Sequence, residues 1–328
     1  MPRRARSTLH FCILSLFAFR LDAQTNENET EPASLALPGL SIIENFDTNP
    51  GKLVLHLYTP QSLPVGKTAL VVALHGCGGS AKQFSNAGFN ELADEYGFFV
   101  IYPEQRAENN RNLCFNHQIQ GAATLERREV QSVMQMVHYM LANFPISRKE
   151  VFVTGFSSGG QLAQILAATY PRTFAAVSAI GAGGYRCETD HSGIAHFFEC
   201  IHKTPAPPAV RGKRPKSWPR ASIWHGKRDK NVAFSRLQDA FDQWLKVHRL
   251  RSPRRLRVSL PGNIKQVKIK NRAGQTVVES YTLNSMGHTI PVNEGCGETG
   301  EYFTREKICF AKRSVQFFGI GKRSIPKN

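Results

Sequence analysis

Val151-Phe152-Val153-Thr154-Gly155-Phe156-Ser157-Ser158-Gly159-Gly160 is the stretch from which the rest of this chain can be read. A β-branched run enters a Gly-x-Ser-x-Gly pentapeptide, and Leu162, Ile165, Leu166 and Thr169 then recur at helical spacing until Pro171. Strand, sharp turn and helix in that order form a nucleophile elbow. The turn strains its central residue, which only small neighbours tolerate, so that the hydroxyl stands clear of the sheet. Ser157 is the candidate nucleophile. The pentapeptide alone is weak, because Gly/Ser loops match it by chance; its flanks give it meaning.

A serine nucleophile needs a base to take its proton and an acid to hold that base in one tautomer. Behind an elbow these follow the serine as acid, then histidine. Asp229 follows the expected strand Ala221–His225, and His288 lies in Ser285-Met286-Gly287-His288-Thr289 just past the expected strand Thr276–Leu283. Both are loop positions at carboxyl ends of strands, where sites of open α/β sheets collect. The rivals fit less well. Asp239 and Asp242 fall on the expected helix Phe234–His248, Asp190 lacks a strand edge, and neither His225 nor His248 follows the last strand. For the oxyanion, the expected donors are the backbone amides of Ser158 and of Cys77, the latter in the glycine-rich segment His75-Gly76-Cys77-Gly78-Gly79. His75 is read as orienting that loop, not as a base.

Apolar runs fix the remaining order. Ala69–Leu74 and Phe98–Tyr102 are continuous and read as strands buried on both faces. Leu53, Leu55 and Leu57 alternate with Lys52, Val54 and His56. They pair across the turn Asn49-Pro50-Gly51 with Ser41–Ile43 as an antiparallel edge. Helices are expected over 81–96, over 125–141, where Val130, Val133, Met134, Val137 and Leu141 share a face, and over about 308–318. Met134, Met136 and Met140 read as core packing. Strands alternating with helices predict an α/β fold, a doubly wound and mostly parallel sheet with an antiparallel N-terminal edge pair.

At the amino terminus, basic residues to Arg6, the 11-residue apolar run Leu9–Phe19 and a small residue at Ala23 read as a signal peptide over 1–23. The expected division is then a disordered lead-in over 24–40, one catalytic domain over 41–320 and a tail over 321–328. Loss of Cys12 leaves Cys77, Cys114, Cys187, Cys200, Cys296 and Cys309, an even number in an exported chain. Pairing the near neighbours gives Cys187–Cys200 and Cys296–Cys309 and leaves Cys77–Cys114; the count alone leaves every other pairing open. Glu188 with His191, His196 and His202 reads as solvated loop residues, and neither metal nor organic cofactor is expected.

The precursor carries a net charge of +17, and residues 202–272 hold 20 Lys and Arg against three Asp. That block suits acidic wall polymers, or is simply a solvated basic surface. Nucleic acid is not expected, since no aromatic ladder accompanies the charge. Neither is a membrane once the signal is removed, and the chain is expected to be a monomer.

Several segments together resemble the secreted esterases related to polyhydroxybutyrate depolymerase, which include acetylxylan and feruloyl esterases. They are Leu74-His75-Gly76-Cys77-Gly78-Gly79-Ser80, Ile101-Tyr102-Pro103-Glu104, Val153 to Gly160, Leu166-Ala167-Ala168-Thr169-Tyr170-Pro171, Gly212-Lys213-Arg214-Pro215, Trp224-His225-Gly226 with Asp229, and Gly287-His288-Thr289-Ile290-Pro291, along with Asn49-Pro50, Tyr58 and Pro60. The resemblance spans roughly residues 40–320. It implies an α/β-hydrolase fold and an extracellular serine carboxylesterase acting on acylated plant-wall polysaccharide or small esters, with Ser157, Asp229 and His288 in the roles already given. An aliphatic polyester depolymerase is the runner-up, and a non-catalytic surface protein of the same fold the alternative of another class. Two departures bear on substrate: Phe115 where the family usually has tryptophan after the loop cysteine, and Lys227-Arg228 where it has small neutral residues. The pocket walls are expected from 103–120 and 181–219, with Phe115 and Tyr185 touching substrate.

Overall fold

The computed structural model describes residues 39–116, 123–184, 217–251 and 253–321. All of them fall within one compact unit, Leu35–Asn328. The expected signal peptide, Tyr185, Cys187, Cys200 and the loop histidines 191, 196 and 202 lie outside the described residues, as do most of the lead-in and of the tail.

Twelve strands are described: β1 (Gly39–Ile43), β2 (Val54–Thr59), β3 (Thr68–Leu74), β4 (Phe99–Glu104), β5 (Ile146–Phe156), β6 (Ala176–Ile180), β7 (Arg220–Gly226), β8 (Arg255–Leu260), β9 (Ile264–Lys270), β10 (Thr276–Leu283), β11 (Ile290–Val292) and β12 (Phe303–Arg305). The helices are α1 (Ala81–Ser85), α2 (Phe89–Tyr96), α3 (Ala123–Asn143), α4 (Ser158–Thr169), α5 (Ser235–Val247) and α6 (Phe310–Phe318). Ten strands form one sheet in the order β1-β2-β4-β3-β5-β6-β7-β10-β9-β8. The six from β4 to β10 run parallel, and antiparallel pairs close both edges. With helices on both faces this is the α/β-hydrolase architecture, including the expected antiparallel β1–β2 pair.

β3 shows why the sheet is central. All seven of its residues are buried. Leu70, Val72 and Leu74 point into one core with α3, α4 and α5, while Ala69, Val71 and Ala73 point into a second core with α1, α2 and α6. A strand with two dry faces reads as an unbroken apolar run. β2 has one dry face, so Leu53, Leu55 and Leu57 are at most 1% exposed while Val54, His56 and Tyr58 are half-buried. Met134, Met136 and Met140 are core residues of the first cluster.

One expectation fails for a reason of tertiary contact. The single helix over 81–96 is broken into α1 and α2 at Gly88, whose φ is +99°. The break receives the loop after β11: Glu298 N donates to Asn86 O at 2.9 Å, and a Cβ at Gly88 would stand 2.9 Å from the Cys296 carbonyl carbon. Inside the basic block the chain also forms the β8–β9 hairpin, for which no strand is expected above.

The elbow is packed by backbone on backbone. A Cβ at position 159 would lie 2.2 Å from the His75 carbonyl oxygen and 2.3 Å from that of Leu74. Gly159→Ala is therefore expected to force the start of α4 away from β3. The cost is about 1–3 kcal/mol, and the melting temperature should fall by several degrees. Thermal unfolding at wild-type stability would contradict this packing.

Candidate active site

Ser157 sits between β5 and α4 with φ 54° and ψ −120°, a conformation that costs a non-glycine residue about 1–3 kcal/mol. Two bonds hold it there: its N–H donates to Ile180 O at 2.9 Å, and its carbonyl accepts from Gln161 N at 3.0 Å. The register aligns the ends of β3, β5, β6, β7 and β10, through the pairs Leu74↔Gly155, Phe156↔Ile180, Ile180↔Trp224 and Leu283↔Gly226. The loops that follow therefore leave the sheet at one edge.

The loops that carry Asp229 and His288 are joined before their side chains meet. Lys227 N donates to Leu283 O and Arg228 N to Met286 O, both at 2.9 Å. A Cβ at position 226 would stand 2.2 Å from Gly287 O, so the approach needs glycine. The side chains of Lys227 and Arg228 are exposed, so these departures change surface charge and leave the turn intact. Below the turn, Trp224 stacks on Tyr281 with ring centroids 3.6 Å apart.

His288 Nδ1 then lies 2.7 Å from Asp229 Oδ2. An ionised carboxylate only accepts, so Nδ1 carries the proton and Nε2 is left as the basic nitrogen. Burial works against the Asp229 carboxylate, whose side chain is fully enclosed. Hydrogen bonds from His225, His288 and Val232 N–H outweigh that cost and hold it well below the usual carboxylate range. The His288 ring packs on Phe156, centroids 4.6 Å apart. The other side of Phe156 lies against Gly76, where a Cβ would meet Phe156 Cδ1 at 2.8 Å and Ser157 Cβ at 3.2 Å. One residue of the elbow thus touches both the histidine loop and the glycine-rich loop.

That glycine-rich loop has its own scaffold. Gly78 N donates to Asn112 O and Gly79 N to Gly76 O. The Cys77 N–H has no acceptor among the described residues, and Ser158, first residue of α4, has no acceptor one turn back. Gln105 N donates to His75 Nε2 at 3.0 Å, so the proton is on Nδ1, which donates to Gly76 O. Desolvation pushes the His75 pKa down and keeps the ring neutral. Gln105 Nε2 also donates to Cys114 O and to Glu129 Oε1, and Glu129 accepts from Asn116 N and Asn116 Nδ2. A Cys77–Cys114 disulfide ties the two loops, and Cys296–Cys309 closes the second expected bridge.

Phe115 corrects an expectation. It is 1% exposed, belongs to the main core and packs on the His75 ring at 4.9 Å. An aromatic ring beside the loop cysteine is drawn under the loop by its apolar area, so it supports the loop and does not face substrate. Two contacts were missed. His225, discounted as a base, places Nε2 3.3 Å from Asp229 Oδ2 and 3.0 Å from Val232 O. Its position four residues before Asp229 was the available signal. Glu129 is 2% exposed, and an acid bordering the apolar stripe of α3 was the hint.

The sequence matches the family profile described as esterase PHB depolymerase over residues 53–250. The chain belongs to that family. It is 35% identical over 304 residues to poly(3-hydroxyalkanoate) depolymerase C of Paucimonas lemoignei, covering 88% of this chain and 72% of that protein. With feruloyl esterase B of Talaromyces stipitatus it shares 28% identity over 275 residues, 77% of this chain and 73% of the relative. The structure of an acetyl xylan esterase from Aspergillus awamori superposes with a TM-score of 0.67 at 20% identity, over 86% of this chain and all of the other, and shows the same fold. Like its relatives in the family, the protein is a carboxylic ester hydrolase.

The Asp229 carboxyl has a lower pKa folded than unfolded. As pH falls, the unfolded chain therefore takes up the proton first. The stabilisation is complete above the unfolded aspartate value of about 3.9 and is lost as pH drops through the folded value. The melting-temperature gap between wild type and Asp229→Asn should accordingly be widest near neutrality and narrow below about pH 4. A constant gap from neutral to acid pH would remove Asp229 from this role.

Proposed function

We propose that the protein is a secreted serine carboxylesterase that removes acetyl or feruloyl groups from plant-wall polysaccharide through Ser157, His288 and Asp229. The observation that carries this reading is the 2.7 Å bond from His288 Nδ1 to Asp229 Oδ2 at the sheet edge where strained Ser157 emerges. In the proposed reaction His288 Nε2 takes the Ser157 hydroxyl proton as Oγ attacks the ester carbonyl. Asp229 stabilises the imidazolium, and the Cys77 and Ser158 amides hold the oxyanion. The tetrahedral adduct collapses as His288 protonates the leaving sugar oxygen, giving an acyl-Ser157 ester and the free alcohol. Water, deprotonated by the same nitrogen, attacks this ester, and carboxylic acid leaves with Ser157 restored. Hydroxyl, imidazole, carboxylate and water balance every step, so the reading calls for no cofactor.

Two disulfides and the apolar amino-terminal run support an extracellular site of action. Polysaccharide is favoured because the cationic excess matches a carboxylate-bearing wall, whereas an aliphatic polyester carries no charge along its chain. The second reading, cleavage of poly(3-hydroxyalkanoate), is favoured by the 35% identity to a depolymerase of that polymer.

Ser157→Ala should lower turnover of a small acetyl ester by at least about 10³-fold while the fold is kept. Hydrolysis near the wild-type rate would overturn the assignment of the nucleophile. On a panel of acetylated xylan, methyl ferulate and a 3-hydroxybutyrate oligomer, the highest kcat/KM is expected on one of the first two. Preference for the oligomer would select the polyester reading.

A further inference from the structure

Because β3, β5, β6, β7 and β10 are parallel, their starts share the edge opposite the candidate catalytic centre. A cleft of about 820 Å³ opens there. It is lined by Arg148, Lys149, Glu150 and Phe152 from the start of β5, Arg172 before β6, and Trp218 and Arg220 at the start of β7. Four cations therefore meet one carboxylate. The floor is apolar: Phe152 stacks on Phe318 with centroids 4.7 Å apart, and both are 3% exposed.

The cations differ in how they are held. Arg220 donates to the carbonyls of Phe317 and Phe318 at the end of α6, with its guanidinium 4.8 Å above the Phe317 ring. It is a fixed charge. Arg148, Lys149 and Arg172 are exposed at the rim. His248 Nε2 bonds Pro219 O at 3.0 Å and so brings the end of α5, followed by exposed Arg249, to the same edge. The β9–β10 turn contributes Gln275 to the lining and exposed Arg272 beside it.

We propose that this cleft docks a carboxylate-bearing polysaccharide and anchors the enzyme to an acidic wall with the candidate catalytic edge facing away from the anchor. The volume lies within the range of small-ligand sites, about 300–1,000 Å³, enough for a few sugar units. Half-buried Trp218 offers one platform for the CH face of a sugar ring, and guanidinium groups pair with carboxylates in bidentate geometry. Among the lining residues Trp218 is the one aromatic side chain not closely buried. Single-stranded nucleic acid uses a succession of stacking rings, so a single platform favours sugar. This docking does not depend on which ester Ser157 cleaves, nor on whether Ser157 is the nucleophile.

The test is binding of the full chain to polygalacturonate, with dextran and double-stranded DNA as comparison polymers at matched ionic strength and melting temperature as the check on folding. Polygalacturonate should retain the wild type, less so as salt rises, and dextran should not. Arg148→Gln with Lys149→Gln should weaken retention about fivefold to thirtyfold, the loss of two exposed charge contacts. Trp218→Ala should weaken it independently. Arg257→Gln with Lys265→Gln, which removes equal charge from exposed positions of β8 and β9, should change it by less than about twofold. Equal weakening by the two charge pairs, equal affinity for DNA, or unchanged retention in the cleft variants at wild-type melting temperature would each overturn the proposal.

Discussion

The His75 carbonyl oxygen stands 2.2 Å from where a side chain at position 159 would begin. Only a hydrogen fits, so the first turn of α4 presses directly on the end of β3. This approach sets the distance between the elbow and the glycine-rich loop, and with it the distance between a hydroxyl on one and an amide on the other. Side-chain packing could not fix that spacing as well, because rotamers yield by tenths of an ångström and two backbones in contact do not. The strain at Ser157 follows from the same contact. A helix pinned this close to β3 leaves the residue joining it to β5 no ordinary conformation, and the core absorbs the cost.

A second layer then stiffens what the backbone has placed. Neutral His75 is hydrogen-bonded at both ring nitrogens, and Gln105 passes that order to Glu129 and Asn116. The Cys77–Cys114 bridge joins the two loops covalently. On the opposite flank, Asp229 accepts from two imidazoles and from the main-chain amides of Asn231 and Val232, so its carboxylate cannot rotate without breaking several charge-assisted bonds. His225 Nδ1 is buried with no partner among the described residues. An enclosed and unsatisfied nitrogen is costly; the compensation is a donor held permanently toward Asp229.

Legibility in the sequence divided along physical lines. Ser157, Asp229 and His288 stand out because each lies in a glycine-containing turn just past a segment that reads as a strand, and the structure does bring Asp229 and His288 together. The β8–β9 hairpin was equally written, in Arg255-Leu256-Arg257-Val258 and Ile264-Lys265-Gln266-Val267 around Pro261-Gly262-Asn263. Its alternation was masked by charge, since an edge ribbon keeps lysine and arginine where an inner strand has valine. The break between α1 and α2 could not be read at all. It is made by residues 296–298, more than two hundred positions away, and no local pattern registers that contact. Phe115 failed for a related reason: an aromatic residue in a polar loop suggests a surface until the loop it supports is known.

The basic excess shows the same limit from the other side. Counted along the chain it peaks between residues 202 and 272, yet the cleft draws Arg148, Lys149 and Arg172 from outside that block and only Arg220, with Arg249 and Arg272 nearby, from within it. A parallel sheet causes this, because it gathers every strand start at one edge and every strand end at the other, whatever their distance in sequence. Residues that precede strands meet one another and never meet residues that follow them. The polarity that brings Asp229 to His288 therefore also separates the cationic cleft from both by the length of a strand. At roughly 3.3 Å per residue, a seven-residue strand sets the two edges more than about 20 Å apart. That is many times the 2.7 Å from His288 Nδ1 to Asp229 Oδ2, and Coulomb interaction falls with distance, so charge at the cleft acts mainly on what the enzyme approaches.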